Sequence, residues 1–372
     1  MSTLSVNSII DASGGNTASI NGATPTTDNT TGKNRLINGD MRIDARNAGA
    51  AVTADGSYAV DRFYSGNSTD GAFSAQQDSS APAGFANSLK VTTTTADGTL
   101  TTTQALQLRQ GIEGTNIADL GWGSANAKTV TLSFWVRSSL TGSFGGSLRN
   151  SGATRSYPFS YTISVADTWE YKTVTILGDT SGTWLTTNGL GIQVIFGLGV
   201  GPDRSGTAGA WTGSNVLAPT GATSVIGTLN ATWYITGVQL EAGSVATSFE
   251  RRMYGQELAL CQRYYTRLGG NTGNGYQGFC TAAGYGTSNA RGVIHLPVSM
   301  RTAPTFAHAG NFEFLPGPGG TSVSSIGLAD AGGNPNVALN FTSTSAFLVS
   351  AGGYEIRAAN DSSAHFSFTA EL

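Results

Sequence analysis

Apolar residues recur at every second position along much of this chain. In TVTLSFWVR at 129–137, Val130, Leu132, Phe134 and Val136 share one side of an extended segment, the pattern of a strand with one buried face. YKTVTIL at 171–177, GIQVIFGLGV at 191–200 and TWYITGVQLEAG at 232–243 follow, separated by glycine-rich turns. Short strands with turn signals and no helical pattern between them argue against βαβ units. They predict a β-sandwich or jelly roll over residues 39–248. The texture returns after residue 266 in GVIHLPVSMRTAPTF, SAFLVSAGG and HFSFTAEL, with turns at GPGG and GGNP, which predicts a smaller C-terminal β domain over 266–372. No fixed period repeats, so a β-helix of stacked rungs is not expected.

One segment changes period. In FERRMYGQELALCQRYY, Tyr254, Leu258, Cys261 and Tyr265 recur at helical spacing, widened by Met253, Leu260 and Tyr264, which predicts a short connecting helix over 249–265. Thr247 and Glu250 have the spacing of a capping box at its start. Such a helix packs on its own sandwich or joins sister chains in a three-helix bundle. Residues 1–38 carry few apolar anchors, Leu4, Val6, Ile9, Ile10 and Ile20. This extended segment cannot bury a core alone and needs a partner surface. The fold class expected is therefore all-β: an extended N-terminal segment, a jelly roll, a connecting helix and a second β domain.

Composition supports many turns. Gly accounts for 51 of 372 residues, and only 12% of residues are charged, about half the usual share. A net charge of −3 does not suit a sequence-independent grip on nucleic acid, which needs clustered Lys and Arg. No apolar run approaches the length of a membrane span, and the N-terminus shows no signal peptide. The expectation is a protein made in a cytoplasm, with no nucleic-acid partner and no membrane insertion. Cys261 and Cys280 sit in no CxxC pair and read as free thiols of a reducing compartment, a disulfide between them being the other reading.

The search for chemistry yields no catalytic set. His295, His308 and His365 show no HExxH spacing, there is no GxSxG elbow, and GLGVGPD at 197–203 is not a phosphate loop. Paired carboxylates of a glycan hydrolase are the remaining enzymatic route; the chain is expected not to be an enzyme. Asp40, Asp44 and Asp61 lie among Arg42, Arg46 and Arg62. They read either as a calcium site or as a buried Asp–Arg network fixing the first strand of the domain; no other cofactor is expected. Aromatic rings beside glycines suit sugar rings. Trp211 in AGAWTGSN, Tyr276 in NGYQGF and Tyr285 in AGYGTS are the candidate ligand contacts, each alternatively a plug over the core. His308 joins them if it lies in a loop. Trp135, Trp233 and Phe134, within strands, read as packing residues.

Four stretches add a resemblance. MSTLSVNSIIDASGG resembles the start of phage tail-fibre proteins. NRLINGDMRIDARNAGA followed by YAVDRF resembles the entry to a carbohydrate-binding-like jelly-roll module of phage tail proteins. ITGVQLEAGSVATSFERRMYGQELALCQRYY resembles that module's last strand and exit helix, and LPVSMRTAPT an element of small β domains at fibre C-termini. The resemblance implies a homotrimeric tail fibre of the virion. Residues 1–38 would attach to other tail or baseplate proteins, and a host-surface glycan or protein would be the receptor. A decoration or spacer protein without a receptor is the alternative, and a surface-glycan depolymerase a third.

Overall fold

The computed structural model describes residues 32–270, 273–315, 321–330 and 335–372. The attachment segment expected over 1–38 lies outside the described residues as far as residue 31. Described residues fall into two compact units. The first holds residues up to Arg42, Gly49–Ala59 and Phe63–Arg251; the second holds Ile43–Ala48, Val60–Arg62 and Arg252–Leu372.

Strands of the first region are, in order, β1 (Ser57–Val60), β2 (Phe63–Asn67), β3 (Ala72–Asp78), β4 (Ser88–Thr95), β5 (Ala105–Glu113), β6 (Val130–Ser138), β7 (Gly142–Asn150), β8 (Ser156–Ile163), β9 (Glu170–Ile176), β10 (Leu190–Val200), the two-residue β11 (Ser205–Gly206) and β12 (Ala218–Pro219), and β13 (Thr232–Ala242). They build a six-stranded sheet ordered β1-β2-β5-β10-β7-β8 and a five-stranded sheet ordered β3-β4-β13-β6-β9. Apart from the β3–β4 and β7–β8 hairpins, successive long strands from β4 onward cross from one sheet to the other, which is a jelly roll. The four strands expected at 129–137, 171–177, 191–200 and 232–243 are β6, β9, β10 and β13 to within a residue or two.

The two sheets meet through large rings. Phe134 of β6 stands edge-on to Tyr161 of β8 at 5.0 Å and to Phe196 of β10 at 5.2 Å. Trp233 of β13 reaches Phe196 at 5.7 Å and donates its indole N–H to the Tyr161 hydroxyl at 3.2 Å. All four rings are buried. Burying such rings contributes about 2–3 kcal/mol each, and the hydrogen bond removes the cost of a buried indole N–H.

The second unit holds one α-helix among the described residues, α1 (Tyr254–Gln262), and strands β14 (Tyr265–Gly269), β15 (Gly278–Gly284), β16 (Asn289–His295), β17 (Thr305–Ala309), β18 (Phe312–Leu315), β19 (Thr321–Asp330), β20 (Asn336–Ser343), β21 (Gly353–Ala358) and β22 (His365–Thr369). Strands β15-β16-β20-β19-β18-β21 close into a barrel, and β14-β22-β17 form a separate sheet. Phe314, Phe341, Ile356, Phe366 and Phe368 anchor its core.

Three expectations are corrected. SAFLVSAGG at 345–353 forms no strand before Gly353; its apolar residues fold as a loop that buries Leu348 and leaves Val349 exposed. The helix expected over 249–265 spans only Tyr254–Gln262, and it buries Glu257 and Cys261 while Met253 and Tyr254 are exposed. Its N-terminus is closed by Gln256, whose side-chain oxygen accepts the Met253 N–H at 3.2 Å. Thr247 and Glu250 do not cap it. They belong to the first unit, where buried partners on β13 hold them.

Candidate functional site

A groove of about 460 Å³ opens on the outer face of the five-stranded sheet. Strand alternation explains its floor. Val130, Leu132, Phe134 and Val136 of β6 face the core, so Ser133, Trp135 and Arg137 face outward. Trp135 pairs in register with Tyr171 of β9, and the two rings lie 5.4 Å apart, tilted by 48°. Tyr171 is 44% exposed. At the opposite wall Phe85 and Phe249 meet edge-on at 5.3 Å, and the Arg251 guanidinium lies over both, 4.7 and 5.8 Å from the ring centres.

The floor depends on a glycine. Between Thr236 and Gln239 the β13–β6 register slips by a bulge, and Gly237 sits there with φ of +63°. A Cβ at that position would stand 2.7 Å from Phe85 and 3.2 Å from Trp135. Only glycine fits both the left-handed backbone and the closeness of the two rings.

The remaining wall is loop 244–250, tied down by buried polar groups of β13. Gln239 and Glu241 are fully buried. Glu241 accepts the Thr247 N–H at 2.8 Å, the Thr247 hydroxyl at 2.6 Å and the Gln239 amide at 2.8 Å. Gln239 in turn accepts the Glu250 N–H at 2.7 Å. Lys33 donates to the Thr247 hydroxyl and the Ser248 carbonyl at 2.5 and 2.7 Å. Asn34 donates its N–H to Glu250 and its amide to the Val238 carbonyl, and accepts from the Leu36 and Leu240 N–H groups. Lys33, Asn34 and strand β13 are therefore the framework of this wall. A pocket of a few hundred Å³ with an aromatic floor and a few fixed polar groups has the form of a small-ligand site.

The residues singled out as ligand contacts lie elsewhere. Trp211, in the first unit, donates its N–H to the Leu177 carbonyl at 2.7 Å and stands edge-on to Trp122, Trp184 and Tyr157 at 5.3–5.4 Å. Those contacts make it a half-buried plug. Tyr276 and Tyr285, in the second unit, are 50% and 55% exposed, and Arg357 lies over the Tyr276 ring at 4.9 Å. His308 is on strand β17, not in a loop. It stacks on Phe306 at 5.9 Å and lines a pocket of about 390 Å³ with Asn311, Ser322 and Ser324, a pocket that neither tyrosine lines. Burial and the neighbouring His365 hold its pKa down. Trp135, read as a packing residue, lies instead on the floor of the groove, with Phe85, Tyr171, Phe249 and Arg251, none of which the sequence singled out. The alternation that identifies β6 already places it opposite the core-facing set.

The aspartates do not form one donor set. Asp40 pairs with Arg42 in the first unit; burial raises its pKa against the pull of Arg42 and Arg251. Asp44 accepts the Asn47 N–H at 3.1 Å. In the second unit Arg46 bonds Glu371 at 2.7 Å and lies 3.6 Å from Asp61, Arg62 pairs with Glu371, and the two guanidiniums cover the rings of Tyr265 and Tyr264. Among the described residues no group of three or more His, Cys, Asp or Glu could hold a metal ion. Cys261 and Cys280 are unbridged, and burial raises both thiols, Cys280 to about 12.

No family model and no curated protein matches the sequence. Solved structures give distant likenesses. A candidate sugar-binding protein of Bacteroides thetaiotaomicron is 12% identical, with 57% of this chain and all of that one covered and a TM-score of 0.34. The enzymatically active domain of tailspike protein 4 of bacteriophage CBA120 is 11% identical, with 56% of this chain and 21% of that one covered and a TM-score of 0.32. The family 11 carbohydrate-binding module of a Clostridium thermocellum cellulosomal cellulase is 14% identical, with 53% and 96% covered and a TM-score of 0.26. At scores of this size nothing about the site follows from them.

Proposed function

We propose that this protein is a non-catalytic structural fibre component of a bacteriophage tail, and that its jelly-roll unit binds a host-surface glycan in the groove floored by Trp135 and Tyr171. The observation that carries the glycan reading is that aromatic pair. Two outward rings on neighbouring strands, ringed by hydroxyls and backbone carbonyls of a pinned loop, offer an apolar face to the C–H side of a pyranose and polar rims to its hydroxyls. The tail assignment is supported by the resemblance of residues 34–50, 58–63 and 235–265 to a phage module. On this reading residues 1–38 attach to the virion, and three chains assemble so that weak sites act together. Linked sites gain about 10²–10⁴ in avidity where geometry allows simultaneous contact.

The test is binding of the labelled full-length protein and of Trp135→Ala to host cells and to purified host polysaccharide, with sedimentation of the same protein reading its assembly state. The full-length chain should sediment as a trimer and bind. Trp135→Ala should lose about fivefold or more in affinity, since stacking of this kind contributes about 1 kcal/mol or more, with little loss of stability because the ring is not core. Equal binding by the variant would remove the groove from the reading. Shortening of the polysaccharide would overturn the non-catalytic assignment.

A further inference from the structure

We infer that the groove is selective for acidic glycans, those bearing a carboxylate on the sugar, and that Arg251 is the group that reads the charge. This rests on the groove being the glycan site. Among the described residues lining it, Arg251 is the only charged one. Its guanidinium carbon lies 4.7 Å from the Phe85 ring centre and 5.8 Å from that of Phe249, a cation–π placement that does not use its N–H donors. Among the described residues Arg251 makes no hydrogen bond or ion pair, so those donors are available. An arginine held on aromatic faces is preorganised for bidentate pairing with a planar carboxylate.

The neighbouring charges do not satisfy it. Asp40 attracts Arg251 through space but is engaged with Arg42. Glu241 is fully buried, with both oxygens accepting from Thr247. A Glu250 oxygen accepts the Asn34 N–H. None of the three carboxylates lines the groove. Lys33, bonded to Thr247 and Ser248 at the wall, adds a second positive charge on the loop side. A sugar ring stacked on Trp135 and Tyr171 with its carboxylate toward Arg251 would therefore meet a donor fork and no lining carboxylate. A neutral ring would gain the stacking alone.

The experiment uses the full chain on an array of oligosaccharides carrying hexuronate or sialate, each printed beside its carboxyl-reduced neutral counterpart. Acidic members should bind about tenfold or more above their counterparts, a difference that salt weakens because the pair is near the surface. Arg251→Gln should bring the ratio of acidic to neutral signal close to one. Arg251→Lys should fall between, since it keeps the charge and loses the fork. Trp135→Ala should lower both signals. A wild-type protein that binds neutral members as well as acidic ones, or an unchanged ratio in Arg251→Gln, overturns the inference while leaving the glycan site intact. If Trp135→Ala binds like wild type, the groove is not the site, and the inference falls with it.

Discussion

At the scale of single residues, the buried carboxyl of Asp61 makes a pH signature. Burial, opposed by Arg46, lifts its pKa from 3.8 to about 7. Between those values the folded chain keeps a proton that the unfolded chain has released. Stability then falls as pH rises through that window, and this group contributes no slope below 3.8 or above about 7. Asp61→Asn has no such proton. Thermal unfolding followed across the window should show the wild-type midpoint declining toward neutral pH and the Asn variant declining less. Parallel curves would mean that Arg46 keeps Asp61 ionised in the folded protein throughout. The residues of this cluster, Arg46, Asp61 and Arg62, were legible as a possible Asp–Arg network from their spacing. Their partner Glu371 was not, because a contact spanning 309 residues from Arg62 leaves no local pattern. The same limit hid the groove. Nothing near Trp135 in sequence announces Phe85, Tyr171 or Arg251, although alternation along β6 does announce that the indole points outward.

At the scale of elements, β13 carries the most information. Its inward residues Trp233, Ile235 and Leu240 build the sandwich, and its outward Gln239 and Glu241 hold the loop that walls the groove. Asn34 locks the bulge that joins these two roles. Its side chain, 4% exposed, bonds the Val238 carbonyl at 3.0 Å, the Leu36 N–H at 3.0 Å and the Leu240 N–H at 3.1 Å. Asn34→Ala would strand buried backbone groups at the bulge. The expected cost is about 2–4 kcal/mol of unfolding free energy in urea, with weaker glycan binding at temperatures where the chain is still folded. A loss within about 0.5 kcal/mol, the range of neutral surface changes, would show that the bulge holds itself. The strands read correctly from sequence, β6, β9, β10 and β13, alternate or run apolar. Strand β7 escaped because Gly145 and Gly146 interrupt its pattern, and those glycines are there because a Cβ at either would drive into the neighbouring strand backbones. Residues 345–353 misled for the opposite reason: a run of Phe347, Leu348 and Val349 has strand composition, yet it packs as a loop beneath the barrel's aromatic core, with Phe347 against Phe314 and Tyr354 at 5.7 Å each.

At the scale of the whole molecule, the division of the chain into units is not a division of the sequence into consecutive blocks. Segments 43–48 and 60–62 lie between residues of the jelly roll in sequence but fold with the second unit. Arg62 is 2% exposed, and its guanidinium is matched by Glu371 and the Tyr264 ring, both beyond residue 251. Glu371→Ala in the full chain removes that carboxylate from a buried cation. Breaking a buried pair in this way costs about 3–5 kcal/mol, a large part of the stability of an ordinary domain. Glu371→Ala should therefore unfold the second unit at lower urea than in the wild-type chain, and should regain part of the difference when Arg62→Met replaces the charge with an apolar side chain. If Glu371→Ala is as stable as the wild-type chain, the pair adds nothing to the second unit. The consequence for function is direct. Deleting the C-terminal residues would leave segments 43–48 and 60–62 of the second unit behind without the rest of it, so point variants in the full chain are the cleaner test of where the glycan binds.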